Sequence, residues 1–391
     1  MAASRFDRPI FLGRRRFLSW AIDRVLIGTK QSAGHLLDSA GPATVSCRLA
    51  RQTFALGCAP MLIIDSFPVA VAMCVVTMLC WGSWANTQKL AGRAWPFQLY
   101  YWDYSLGVLL LAVLSAFTCG SLGTAGRPFL ADLAQADRSA VWSAFLGGAI
   151  FNLSNILLVA AIGIAGMAVA FPVGVGLALV IGVMTSYLAK PVGNPLFIGL
   201  GVVAIMLAII LDAIAYKRAA TSSSATPRLG MILSVAAGVL MGFFYRFVVA
   251  AMATNFAAPE SGKLGPYAAI VVFSAGLFLS SFLWNTLVMV RPFQGEPVAV
   301  REYFAGSPWV HFVGILGGVI WNIGMSLSIL ASDKAGPAVS YGLGQGATMV
   351  AAFWGVFVWR EFASAPAGTG RLLALMFVLY GAGLTLLIAA R

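Results

Sequence analysis

From residue 61 onward the chain is a succession of apolar stretches, each about as long as a helix that crosses roughly 30 Å of hydrocarbon. They fall at 68–87, 99–119, 140–161, 167–188, 194–216, 230–252, 266–290, 308–331, 336–358 and 370–390. Hydrophobic residues make up 60% of the chain and charged residues only 10%, against about a quarter charged in a soluble domain. A water-soluble globule has nowhere to bury that surface. A membrane β-barrel would show alternating segments of about ten residues, and the sequence has no such alternation. The pattern predicts an all-α membrane protein with ten transmembrane helices, and it excludes soluble enzymes and disulfide-stapled secreted domains. The net charge of +12 is spread over connections and an N-terminal segment, so no nucleic-acid partner is expected. The five cysteines and two histidines show no metal-ligand spacing, so neither a metal nor a cofactor is expected.

Residues 1–60 differ from the rest. They hold nine Lys/Arg against Asp7, Asp23 and Asp38, and no apolar run long enough to span a bilayer. The segment reads as a targeting sequence, a cytosolic tail, or an over-extended gene start with Met61 as the native start, and as disordered if expressed. The expected organisation is a basic extension over 1–60, a first five-helix half over 61–216, a polar linker over 217–229 and a second half over 230–391. Beyond Met61 the odd-numbered connections carry Lys89, Arg93, Lys217, Arg218, Arg228, Arg291, Arg301, Arg360 and Arg371. The other side carries Arg127, Arg138, Lys190, Lys263, Lys334 and Arg391. By the positive-inside rule the odd connections face the cytoplasm and both termini lie outside an inner membrane.

The stretch 147–180 aligns without a gap to 317–350, a shift of 170 residues, with thirteen of 34 positions identical. Asn152 matches Asn322, Gly147 and Gly148 match Gly317 and Gly318, and Gly174 and Gly176 match Gly344 and Gly346. The shift carries spans three and four onto eight and nine. An odd offset of five spans reverses the second copy across the membrane. Such inverted repeats give a transporter two conformations that open to opposite faces around a midplane site. An enzyme would also need a nucleophile, an acid–base pair or a metal site, and none is evident.

Two stretches carry a resemblance: CWGSWANTQKLAGRAWPFQLYYWDYSLGVLLLAVLSAFTCG (80–120) and GILGGVIWNIGMSLSILASDKAGPAVSYGLGQGATMVAAFWGVFVWREF (314–362). The chain from 61 to 391 resembles the glucose/ribose porter and plant ureide permease branch of the drug/metabolite transporter superfamily. The resemblance implies ten helices in two inverted halves and secondary-active transport of a small polar solute, a sugar or an allantoin-like ureide. Plant ureide permeases carry a long central loop with a nucleotide-binding-like glycine motif. Here the connection KRAATSSSATPR is short and lacks it, so no ATP binding is expected. A drug or metabolite exporter on the same fold and a non-transporting membrane sensor are the competing readings.

Polar groups inside the spans are the candidate site, because each costs a few kcal/mol in hydrocarbon. Arg246, read near the middle of span six, offers forked donors to a carbonyl or carboxylate; the alternative is an ion pair with Asp103 or Asp212. Asp103 shares a helix face with Tyr100 and Tyr104 and is the candidate for ion or proton coupling, or else a solvated helix end. Asp212 reads as an interfacial partner of Lys217 and Arg218. Asn152, Asn155 and Asn322 offer amides to a neutral solute or hydrogen-bond between helices. Ser340, Tyr341 and Gln345 lie among glycines and opposite the matching Pro172 segment, as cavity lining or close helix packing. Trp81 and Trp84 are stacking surfaces or interfacial anchors, with Asn86 and Tyr104 as neighbours in the binding set. His311 reads as structural. Spans five and ten are expected outside the path, where two copies could pair as a homodimer; the remaining partners are the small polar solute and the lipid bilayer.

Overall fold

The computed structural model describes residues 63–64, 66–92, 95–122, 125–165, 170–219, 228–293 and 295–390, except the side chains of residues 171–172. The basic extension over 1–60 lies outside the described residues, as does most of the polar linker. The described chain is nearly all helix, with one isolated β-bridge between Met252 and Leu264. In chain order the helices are α1 (Phe67–Ser83), α2 (Ala85–Ala91), α3 (Phe97–Phe117), α4 (Phe129–Gln135), α5 (Arg138–Ala165) and α6 (Gly176–Ala189). There follow α7 (Pro195–Ala219), α8 (Arg228–Ala251), α9 (Pro266–Val290), α10 (Val300–Phe304), α11 (Pro308–Ala335), α12 (Pro337–Gly344), α13 (Ala347–Phe353) and α14 (Thr369–Ala389). A π-turn, Phe171–Val175, leads into α6, and another, Trp354–Val358, follows α13.

Proline and glycine set many of the boundaries. A proline stands at the first turn of α1, α9, α11 and α12, where its missing N–H would have had no helical partner. Gly336, at φ 82°, ends α11 and starts α12 in a backbone conformation that a side chain would strain.

Among the described residues, eight helical segments are long and apolar enough to cross a membrane: α1–α2 taken together, α3, α5, α7, α8, α9, α11 and α14. The fourth and ninth apolar stretches are not single long helices. The fourth carries a π-turn at Phe171–Val175, and the ninth is interrupted at Gln345–Gly346 and ends in a π-turn. Both breaks coincide with the glycine-rich segments, where helix propensity is lowest. On α7 the exposed residues Leu196, Leu200, Val203 and Leu207 form an outward apolar stripe, the inside-out surface of a chain solvated by lipid. This is a multi-pass membrane protein.

The core is held by backbone-to-backbone approaches at small residues. A Cβ on Gly318 of α11 would overlap the carbonyl oxygen of Tyr104 on α3, and one on Gly107 of α3 would overlap that of Ile315. A second contact repeats these with the residues shifted by about 170. A Cβ on Gly148 of α5 would overlap the carbonyl of Phe273 on α9, and one on Gly276 of α9 would overlap that of Phe145. α7 and α14 cross where Gly201 and Gly383 meet, each lacking room for a Cβ beyond 2.9 Å from the other's carbonyl oxygen.

On the side of the even-numbered connections, two loops lock together. Arg127 pairs with Asp132 at 2.9 Å and donates to the carbonyls of Pro259 and Glu260. The Gly265 N–H donates to Asp132 at 2.6 Å, and Gln135 exchanges bonds with Gly262 and Lys263. Burial pushes the Asp132 carboxyl up from its ordinary range, against the opposing Gly265 bond and Arg127.

Candidate functional site

A cavity of about 460 Å³ opens between α1–α2, α5, α8, α11 and the broken α12–α13 segment. Five aromatic rings, Trp81, Trp84, Phe151, Phe244 and Trp321, stand in walls otherwise made largely of aliphatic and small residues. Phe151 and Trp321 meet at 4.5 Å between ring centroids. Trp81 stacks on Trp321 at 5.9 Å and 14°, and its indole N–H donates to the Trp321 carbonyl at 3.1 Å, so both indole planes are fixed. Trp84 lies 4.8 Å from Tyr104, which is buried behind it.

Four polar side chains reach this aromatic box: Gln88, Asn155, Gln345 and Thr348. Asn155 donates to the Tyr101 hydroxyl at 3.3 Å. Thr348 donates to the Gln345 carbonyl at 2.9 Å and accepts from the Tyr380 hydroxyl at 2.6 Å. Among the described residues, the side-chain amides of Gln88 and Gln345 have no protein hydrogen-bond partner. Gln88 is half-buried and Gln345 is 8% exposed, so both amides are open to hydrogen-bond with a solute that enters the cavity.

The cavity reaches Gln88, Ile162 and Gly163, in the last turns of α2 and α5, and so faces the odd-numbered connections. Below it the space is closed. The Tyr341 hydroxyl lies 3.2 Å from both the Ala178 and the Met241 carbonyls, and its ring lies where a Cβ on Gly182 would stand. A layer of Cys74, Ser340, Ser328 and Tyr245 continues the seal through hydroxyl and thiol hydrogen bonds.

Of the residues singled out in the sequence, Trp84, Asn155 and Gln345 line the cavity, and Tyr104 stands directly behind Trp84. Asn152 donates to Ser280 and Ser281 of α9, and Asn322 donates to the Val108 carbonyl of α3 at 2.8 Å. Both are helix-to-helix ties, and each leaves its side-chain oxygen buried without a partner. Ser340 and Tyr341 belong to the closed layer. Asn86 accepts from the Trp359 indole at 2.7 Å and points away from the box. Arg246 is exposed on the outer face of α8 and makes no ion pair among the described residues. α8 ends at Ala251, about 8 Å further along at 1.5 Å per residue, within reach of a snorkelling arginine. Asp103 accepts from the Tyr303 hydroxyl at 2.6 Å and lies 2.9 Å from His311 Nδ1, tying α3 to α10 and α11 outside the cavity lining. Asp212 is 4% exposed and pairs with neither Lys217 nor Arg218. Gln88, Phe151, Phe244, Trp321 and Thr348 were not anticipated. Gln88 was findable, since it lies four residues after Trp84 and seven after Trp81 on one helical face.

A lipid-solvated helical bundle enclosing an aromatic and carboxamide cavity, open at one end and sealed at the other, is a transporter of a small polar metabolite. The ureide permease family model matches residues 100–226 and 208–390, and the chain belongs to that family. Ureide permease 1 of Arabidopsis thaliana is 23% identical over 390 residues, covering 84% of this chain and 99% of its own length. Ureide permease 2 of the same plant is 22% identical over 395 residues, with the same coverage. Ureide permease 5 is 23% identical over 399 residues, covering 84% of this chain and 95% of its own.

Proposed function

We propose that this chain carries a ureide, a solute such as allantoin built from urea-type N–H and C=O groups on a flat ring, by alternating access. The observation that carries the reading is the pair of unpartnered amides, Gln88 and Gln345, facing a box of fixed indoles. A carboxamide offers donor and acceptor together, the complement of a urea group. Aromatic faces take the flat ring of such a solute. The three relatives are named for ureides. A sugar could use the same amides and lay a C–H face on an indole, so the relatives' names favour the ureide over it, and an exporter of apolar compounds has no use for two free amides.

The architecture in this reading is two inverted five-helix halves over 61–216 and 230–391, joined by 217–229, on the plan of the drug/metabolite superfamily. Ten crossings result when the broken segments that contain α6 and α12–α13 are taken as the fourth and ninth. The repeated glycine contacts of α3 with α11 and α9 with α5 support the duplication. The excess of Lys and Arg on the odd connections supports an inner membrane with both termini outside, which makes the present conformation cytoplasm-facing.

Counterflow of labelled allantoin in proteoliposomes tests the function, with unlabelled allantoin, glucose and ribose as competitors. Allantoin exchanges and the sugars compete weakly. Removing one amide, Gln345→Ala, weakens half-saturation about five- to tenfold, the worth of about 1 kcal/mol for one hydrogen bond. Exchange of glucose or ribose without allantoin would overturn the ureide assignment.

A further inference from the structure

An ionisable side chain inside a membrane protein needs a reason to be there, and Asp212 has no structural one. It lies two turns from the C-terminal end of α7, is 4% exposed, and its Oδ1 is buried without a hydrogen-bond partner. No cation pairs with it among the described residues. Asp103 contrasts with it at every point, since Tyr303 and His311 occupy both of its oxygens.

The surroundings of Asp212 join the cavity wall to the open face. On the cavity side stands the hydroxyl pair Tyr380–Thr348, at 2.6 Å, with Thr348 in the lining and Tyr380 within electrostatic reach of Asp212. On the other side Tyr216, one turn after Asp212 on the same helix face, donates to Glu361 Oε2 at 3.1 Å. Glu361 is a third exposed and pairs with Lys89 of α2 at 2.9 Å. The π-turn Trp354–Val358 brings Glu361 back over Gly355, where a Cβ would stand 3.0 Å from its Oε2 and 3.1 Å from the Tyr216 hydroxyl. The groups around Asp212 are therefore Glu361, Tyr216 and Tyr380, with Lys89 reaching Glu361 from α2. α14, the main neighbour of α7, also carries Arg371, exposed in its first turn, and the other helices against α7, α6 and α12, carry no acid, lysine, arginine or histidine.

We infer that Asp212 is the proton-binding site of the transport cycle, with Glu361 as its exchange partner at the open face. The inference rests on the transport reading above and adds to it the coupling ion and its carrier. A proton from water reaches Asp212 past Glu361 in the open state, forms an O–H bond on the carboxylate, and returns to water when the site faces the other side. A metal cation is the poorer occupant, because the Lys89 ammonium already holds the Glu361 carboxylate. Lys89 also caps the Trp359 ring at 4.7 Å, so both of its contacts break when α2 and the end of the ninth segment separate.

The test uses the full chain in proteoliposomes, comparing wild type, Asp212→Asn and the conservative Asp212→Glu. With one proton per solute, an inward gradient of one pH unit drives about tenfold accumulation of labelled allantoin. Asp212→Asn abolishes that accumulation while leaving gradient-free counterflow within about twofold, and Asp212→Glu restores part of the accumulation. Infrared difference spectra between acidic and neutral pH supply a readout independent of solute. A protonated-carboxyl band is present in wild type, absent in Asp212→Asn and shifted in Asp212→Glu. Accumulation retained in Asp212→Asn, or an unchanged band there, overturns the assignment. A carboxyl band with the expected behaviour in a protein that exchanges no solute would instead overturn the transport reading and leave the proton site standing.

Discussion

The two walls of the cavity use one geometry and two chemistries. Trp84 and Trp321, from the α1–α2 junction and α11, line it on one side, with Tyr104 of α3 behind Trp84. Phe244 and Phe151, from α8 and α5, line the other, with Phe273 of α9 against both rings. Trp84 meets Tyr104 at 4.8 Å, and Phe244 meets Phe273 at 5.9 Å; Tyr104 meets Trp321 at 6.4 Å, and Phe273 meets Phe151 at 5.9 Å. The rings with N–H or O–H groups all stand on the first wall. The glycine contacts beneath the rings are the same on both sides, because a backbone-to-backbone approach tolerates no side chain. The rings above them are free to differ, so the two walls share one scaffold and present different groups on it.

The largest expected effect tests whether the scaffold is equivalent in the two halves. Gly318→Leu and Gly148→Leu each force a side chain into a backbone carbonyl and cost about 3 kcal/mol or more. Size-exclusion profiles of detergent-solubilised protein should lose the monodisperse peak in both. If only one variant fails, the two contacts are not equivalent. Next comes the division of labour between the walls. Stacking on an aromatic ring is worth about 1–3 kcal/mol to a flat ligand. Trp84→Ala should therefore weaken allantoin about thirtyfold in a thermal-shift titration, and Phe244→Ala roughly fivefold, through looser packing. Equal losses would show that both walls bind.

The smallest effect concerns the loops that close the even side, one from each half. Burial holds the Asp132 proton more tightly in the folded state than in the unfolded one. Stability from this group therefore rises as pH falls from the raised value toward the ordinary carboxylate range, and Asp132→Asn removes that rise. Glu260 is the opposite case. The Thr254 hydroxyl bond holds its carboxyl below the usual range, so its contribution is present above the ordinary value and is lost as pH falls through the lowered one. Glu260→Gln flattens that loss. Thermal midpoints across a pH series read both slopes, and slopes of the same sign would contradict this account of the loops.

Much of the fold was legible because hydrophobic length is a strong signal. The apolar stretches at 99–119 and 266–290 became α3 and α9 within a few residues of their expected bounds. The breaks in the fourth and ninth stretches were visible only as glycine-rich composition, since a π-turn has no sequence signature of its own. The site was less legible. A polar residue on an apolar helix can face a cavity, a neighbouring helix or lipid, and sequence gives its periodicity but not the direction of that face. Asn152 and Asn155 lie three residues apart, yet one ties α5 to α9 and the other lines the box. Arg246 reads as near mid-span, yet the expected end at 252 agrees with Ala251 and already leaves its charge within snorkelling reach of the interface. Asp212 was read as interfacial because Lys217 and Arg218 follow it closely, although they lie beyond it on the helix.

The Tyr341 phenol that closes the floor of the cavity is held by a single hydroxyl hydrogen shared between two main-chain oxygens. A neutral bond of that kind is worth about 1 kcal/mol, whereas a ligand of millimolar affinity brings about 4 kcal/mol. A latch so lightly fastened needs no external energy source to spring it. It yields to any cargo that binds the alternative state better by a modest margin, which lets the barrier to transport be set by recognition above the floor.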